Sequence, residues 1–131
     1  MKKILKLGFL IALVMALFTG CRTAPIRNYN SPVVPNASTI TLDKVAKEII
    51  NAGASLGWQM KKVKDGEIIG TIYLRTHMAQ IKIPYTTKNY RIEYMNSKEL
   101  NYDASTGVIH TNYNGWVKNL NNAIQVRLGT L

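Results

Sequence analysis

Apolar positions along this chain change their spacing several times, and each change marks an expected element. From Leu7 to Phe18 they run without a break, behind three lysines, Lys2, Lys3 and Lys6. Leu42, Val45, Ala46, Ile49, Ile50 and Gly53 recur at the spacing of one helical face, with Thr41 placed as N-cap and Asp43 in the first turn. The period then drops to two: Leu56, Trp58 and Met60 alternate with polar neighbours, and Lys64-Asp65-Gly66-Glu67 supplies the Asp-Gly pair of a tight hairpin. Further strands are expected over 68–75, 78–85 and 90–96, joined by connections short enough to require antiparallel neighbours. Pro84 lacks a ladder donor and belongs at a strand end or bulge. Residues 97–100 suggest a single turn and 103–107 a turn-rich link. Tyr113, Trp116, Val117, Leu120, Ile124 and Leu128 return to helical spacing, with Asn112 as the expected cap. The pattern predicts an α+β domain: an N-terminal helix, a four-stranded antiparallel β-meander and a C-terminal helix. Both helices cover one sheet face over a core of Trp58, Ile72, Ile81, Ile83, Ile92 and Trp116.

The opening stretch is a different kind of segment. A positive start, a short apolar run and small residues before a cut are the three parts of an export signal, and Thr19 and Gly20 supply the last. The apolar run of twelve residues is too short for a spanning helix, which needs about 20. Phe18-Thr19-Gly20-Cys21 also resembles the lipobox of bacterial lipoproteins, departing from it at Phe18, where leucine is usual. That resemblance implies cleavage between Gly20 and Cys21, a diacylglycerol on the Cys21 thiol, and acylation of the new amino group. Two or three chains anchor stably at about 0.8 kcal/mol per buried methylene. The chain then divides into a signal peptide at 1–20, a lipidated cysteine with a Pro-rich tether at 21–38, and one domain at 39–131. Three of the four prolines fall in the tether, which at about 3.1 Å per residue would reach roughly 50 Å. Because Cys21 is the only cysteine, an internal disulfide and a multi-cysteine zinc site are both excluded.

Charge and candidate chemistry sharpen this only a little. The formal charge is +10, falling to +7 once the three signal lysines leave. An exported basic domain meets phospholipid headgroups, anionic wall polymers or acidic envelope proteins rather than nucleic acid. Side chains alternate along strands, so inward Trp58, Ile72, Ile81 and Ile92 place Lys61, Tyr73, Arg75, Lys82, Arg91 and Glu93 on the other face. This basic sheet face suits phosphate or carboxylate, against the plainer reading of a solvated surface. Gly53-Ala54-Ser55-Leu56-Gly57 matches the G-x-S-x-G string, but a nucleophile elbow runs from strand to helix and here the order is reversed. His77 and His110 are the only histidines and could serve as an acid-base pair or half a metal site. Two ligands are too few for a metal, and no cofactor is implied.

Ala52-Gly53, Gly57-Trp58, Arg75, His77, Ala79, Ile81, Ile83 and Tyr85 form the first half of a wider pattern. Tyr94, Ser97, Leu100, Tyr102, Ile109-His110, Tyr113-Asn114, Trp116 and Leu120 complete it. Over residues 40–125 this pattern resembles a group of small uncharacterised bacterial lipoproteins, a resemblance that brings no activity with it. It draws attention to Arg75, His77, Ser97, His110 and Asn114, polar positions among core ones that either fix the loops around the second helix or line a site. Arg22 in place of aspartate implies, by enteric-type sorting, the outer membrane facing the periplasm. The expected function is a non-catalytic binding or assembly module of the cell envelope; the alternative is a small envelope enzyme using His77 and His110.

Overall fold

The computed structural model describes residues 22–35 and 37–131. The expected signal peptide, the expected cleavage between Gly20 and Cys21 and the expected acylation of Cys21 all fall outside the described residues. Within them the order is β1 (Thr23–Pro25), β2 (Tyr29–Pro32), α1 (Leu42–Ser55), β3 (Gln59–Lys64), β4 (Glu67–Leu74), β5 (His77–Pro84), β6 (Asn89–Lys98), β7 (Val108–His110) and α2 (Thr111–Leu128). The fold is α+β, with two helices and antiparallel sheets. No helix among the described residues is long and apolar enough to cross a membrane.

The expectation of a four-stranded meander opened by a helix needs correction. The main sheet has five strands in the order β2-β6-β5-β4-β3, and the first element of the described chain is a strand. The fifth strand comes from residues read as tether: Tyr29–Pro32 pairs with β6 in the register Tyr29 to Ile92 and Pro32 to Asn89. A second, two-stranded sheet joins β1 to β7, with Thr23 opposite His110 and Pro25 opposite Val108. Proline content misled because Pro25 and Pro32 each occupy the last position of a strand paired on one side only, where a missing donor costs little. Ile26 N–H to Gly107 O and Val33 N–H to Lys88 O, both 2.9 Å, carry the pairing one residue further at each strand. Residues 22–33 are therefore extended, as their prolines suggest, but they are packed.

α1 follows its periodicity. Val45, Ala46, Ile49, Ala52 and Gly53 are buried, and the Thr41 hydroxyl accepts from the Lys44 amide at 3.3 Å, satisfying one of the orphan donors of the first turn. α2 starts two residues earlier than expected. Its cap is His110, whose Nδ1 accepts from the Asn112 amide at 3.1 Å, so Asn112 is the recipient of the cap and not its source. The hairpin between β3 and β4 turns on Asp65-Gly66, where Gly66 takes φ +83°, and Pro84 closes β5. A bulge at Lys62/Lys64 and the lysines at 61, 62 and 64 blunt the exposed β3 edge against pairing with another chain.

Both helices lie on one face of the main sheet. The core joins Ile49 of α1, Ile68, Ile81, Ile83, Tyr90 and Ile92 of the sheet, and Tyr113, Leu120, Ile124 and Leu128 of α2. Trp58, Ile81, Ile83 and Ile92 are buried as expected, while Ile72 and Trp116 are only partly so. Met60 fills the gap between α1 and the sheet, in contact distance of where a side chain at Gly53 or Gly70 would stand. A flexible thioether over two glycines lets helix and strand approach closely.

Candidate functional site

Four of the five polar positions singled out from the sequence, His77, Ser97, His110 and Asn114, use their side chains on backbone or on a tyrosine hydroxyl. His77 opens β5, and its Nδ1 lies 2.7 Å from the Glu99 carbonyl oxygen. A carbonyl only accepts, so His77 carries its proton on Nδ1. His110 is the opposite tautomer, its bare Nδ1 receiving the Asn112 amide proton. The Asn114 side chain clips the chain between β1 and β2 from both ends: Nδ2 donates to Pro25 O at 3.0 Å, and Oδ1 accepts from Arg27 N at 2.9 Å. Ser97 Oγ lies 2.8 Å from Tyr94 Oη. Arg75 sits in the β4–β5 turn at φ +57°.

His77 and His110 thus hold neighbouring points of one loop. His77 grips the Glu99 carbonyl, and the His110 amide donates to the next carbonyl, that of Leu100, at 2.7 Å. Each ring has a backbone task, and neither lines the two surface hollows described below. Among the described residues no group of three or more His, Cys, Asp or Glu side chains converges as a metal site would require. Ser55 ends α1 and donates its hydroxyl to the Ala52 carbonyl at 2.7 Å. In that position it belongs to a helix C-terminus, with Gly57 at φ +87° turning the chain into β3.

The uncovered sheet face is mixed rather than basic. Lys61, Ile69, Lys82 and Glu93 form one cross-strand row, and Gln59, Thr71, Gln80 and Asn96 the next. Lys82 Nζ is 3.6 Å and Lys64 Nζ 3.3 Å from the Glu67 carboxylate, and Arg91 Nε is 3.0 Å from Glu93 Oε1. Of the cations assigned to this face, Lys82 and Arg91 are paired, Arg75 has moved into the turn, and Lys61 makes no ion pair with any described residue. Tyr73 remains outward and 62 % exposed. A shallow hollow of about 330 Å³ opens beside Lys61, lined by Gln59, Val63, Ile69, Thr71 and Gln80. A second, of about 270 Å³, lies at the far end between Gly66, Pro84, Thr86 and Arg91. Neither contains a nucleophile with a base beside it.

Two polar-aromatic arrangements had no signature in the sequence. Tyr90, buried under α2, donates its hydroxyl to Asn121 Oδ1 at 2.6 Å and accepts from Gln125 Nε2 at 2.8 Å, while Ser31 of β2 also donates to Asn121 at 3.1 Å. Burial raises the Tyr90 pKa above the usual phenol value, partly offset by hydrogen bonding from Gln125 and Ser31. At the opposite end of the sheet the Tyr94 ring stacks on Tyr102 at 4.4 Å and meets Tyr113 edge-on at 5.7 Å. The Tyr113 hydroxyl is buried without a hydrogen-bond partner among the described residues, and desolvation pushes its pKa far up. Ser31 and Asn121 stand 90 positions apart, and Tyr90 and Asn121 stand 31 apart, so only the folded chain brings them together.

Comparison with known proteins finds no family model, no curated protein and no solved structure that matches this chain.

Proposed function

We propose that this protein is a lipoprotein of the bacterial cell envelope, anchored through acyl chains on Cys21 and acting as a non-catalytic binding or assembly module. The observation that carries the anchoring is the sequence Lys2-Lys3 to Cys21: a charged start, twelve continuous apolar residues, then Thr19-Gly20 directly before the single cysteine. Two acyl chains on that sulfur suffice for stable attachment without a spanning helix. The location is the outer membrane facing the periplasm, on the strength of Arg22 at the position after the cysteine.

Support for a role without chemistry comes from the polar residues themselves. His77, His110, Ser97 and Asn114 spend their hydrogen bonds on backbone or on Tyr94, a use that suits scaffolding of the loops around α2. The partner is then an anionic or acidic envelope component or an envelope protein.

Anchoring is tested by the intact mass of the mature protein and by palmitate incorporation. A terminal Cys21 carrying acyl chains, lost in Cys21→Ala, is expected; any other N-terminus or an unmodified sulfur removes the reading. The binding role is tested by retention of envelope protein, lipid or glycan on the immobilised protein against a charge-matched control. Retention no greater than the control's sinks it.

A further inference from the structure

Residues 22–33 are sewn into the domain, and this places the lipid anchor. The Thr111 amide donates to the Arg22 carbonyl at 2.9 Å, and β1 begins at the next residue. Consecutive Cα atoms are about 3.8 Å apart, so no free leash separates Cys21 from the fold. The polar zone on each side of a bilayer is only about 5 to 8 Å deep. An acyl-glyceryl group on Cys21 therefore draws the domain surface around Arg22 to headgroup level.

The chemistry of that surface fits such a position. Hydrogen bonds lead from Arg22 through Thr111 and His110 to Leu100, and from Glu99 to His77. His77 pairs with Leu74 across the β4–β5 turn, and Met78 next to it pairs with Lys98, so these residues share one end of the molecule. There Tyr73 is 62 %, Leu74 49 % and Tyr102 42 % exposed, and Arg22, Arg75 and Lys98 are exposed cations. Aromatic and aliphatic side chains interleaved with arginine and lysine are what a membrane interface selects. Each basic side chain near an anionic surface favours contact by a factor of about five. Glu99 and Asp103 are carboxylates of the same end, the latter held by the Ser105 hydroxyl and amide at 2.6 and 2.9 Å.

We infer that the end of the domain bearing Arg22, Tyr73, Leu74, Arg75, Lys98 and Tyr102 lies flat against the phosphate headgroups of the bilayer. This rests on acylation of Cys21. The fold is clamped to the membrane in one orientation, with β2, the far hollow and the C-terminus of α2 directed away from it.

The acylated protein has no free thiol, so an introduced cysteine takes a fluorophore uniquely. Thr76→Cys and Asn112→Cys mark the proposed contact end, and Val126→Cys, fourteen residues along α2 and about 21 Å from Asn112 by helix rise, marks the other. In phosphatidylethanolamine–phosphatidylglycerol vesicles containing a headgroup nitroxide lipid, the first two labels are expected to be quenched severalfold more than the third. Tyr73→Ser with Leu74→Ser, both at exposed positions, is expected to lower quenching at position 76. Equal quenching at all three sites, or quenching at 112 alone, in protein whose mass shows acylated Cys21 overturns the inference and leaves the anchoring reading intact. An unacylated sulfur overturns both.

Discussion

Two buried phenols in this core have opposite consequences. Tyr90 gives and receives a hydrogen bond, whereas Tyr113 makes neither, though its ring is fully enclosed. Removing one partner from a satisfied pair strands the other, at about 1 to 3 kcal/mol, but deleting an unsatisfied hydroxyl takes away a standing desolvation cost. Tyr90→Phe is therefore expected to destabilise the domain by about 1 to 2 kcal/mol. Tyr113→Phe is expected to leave stability unchanged or raise it. Urea denaturation of the two variants beside the parent separates them, and a loss of stability in Tyr113→Phe equal to that in Tyr90→Phe contradicts the assignment.

At the scale of elements, α2 is held in place by two of the side chains that the sequence marked as fixing the loops around it or lining a site. His110 caps it, and replacing a capping side chain by alanine costs about 0.5 to 2 kcal/mol. His110→Ala is expected to lose that amount and His110→Ser to retain most of it, since a serine hydroxyl accepts from the same first-turn amides. A midpoint for His110→Ser as low as that for His110→Ala argues that the imidazole does more than cap. Asn114 clips β1 and β2 to the helix through Pro25 and Arg27, two hydrogen bonds worth about 1 kcal/mol each. Asn114→Ala is expected to loosen this strap locally. Tryptic cleavage after Arg27 should then accelerate more than cleavage after Lys61; uniform acceleration points to global destabilisation instead.

For the whole molecule, three tyrosines share one direction of shift. Tyr90, Tyr94 and Tyr113 all have their pKa values raised, burial being the largest cause in each. In the unfolded chain these phenols ionise near pH 10, while in the folded state they stay protonated to higher pH. The native state then binds more protons than the unfolded one, so stability falls as pH rises above about 10. Below that pH both states are neutral at these groups and the contribution is constant. Comparison of denaturation midpoints at about pH 8 and about pH 11 should show the loss, and Tyr113→Phe should show less of it. A parent midpoint that does not move would mean that these rings are hydrated.

Periodicity determined much of this protein. The helical spacing of Val45, Ala46, Ile49 and Ala52, the alternation around Trp58 and Met60, the Asp65-Gly66 turn and the terminal place of Pro84 are local matters, written in side-chain size and backbone freedom. The loop-fixing use of His77 and Asn114 was half legible, as polar residues among core ones. Tertiary structure decided what depends on partners distant along the chain. Proline composition made residues 22–33 look like a tether, yet their unpaired edges found Val108–His110 and Asn89–Ile92, because an edge strand tolerates a terminal proline and a sheet gains by covering its open side. That pairing, invisible to any local pattern, leaves no tether between Cys21 and the folded body.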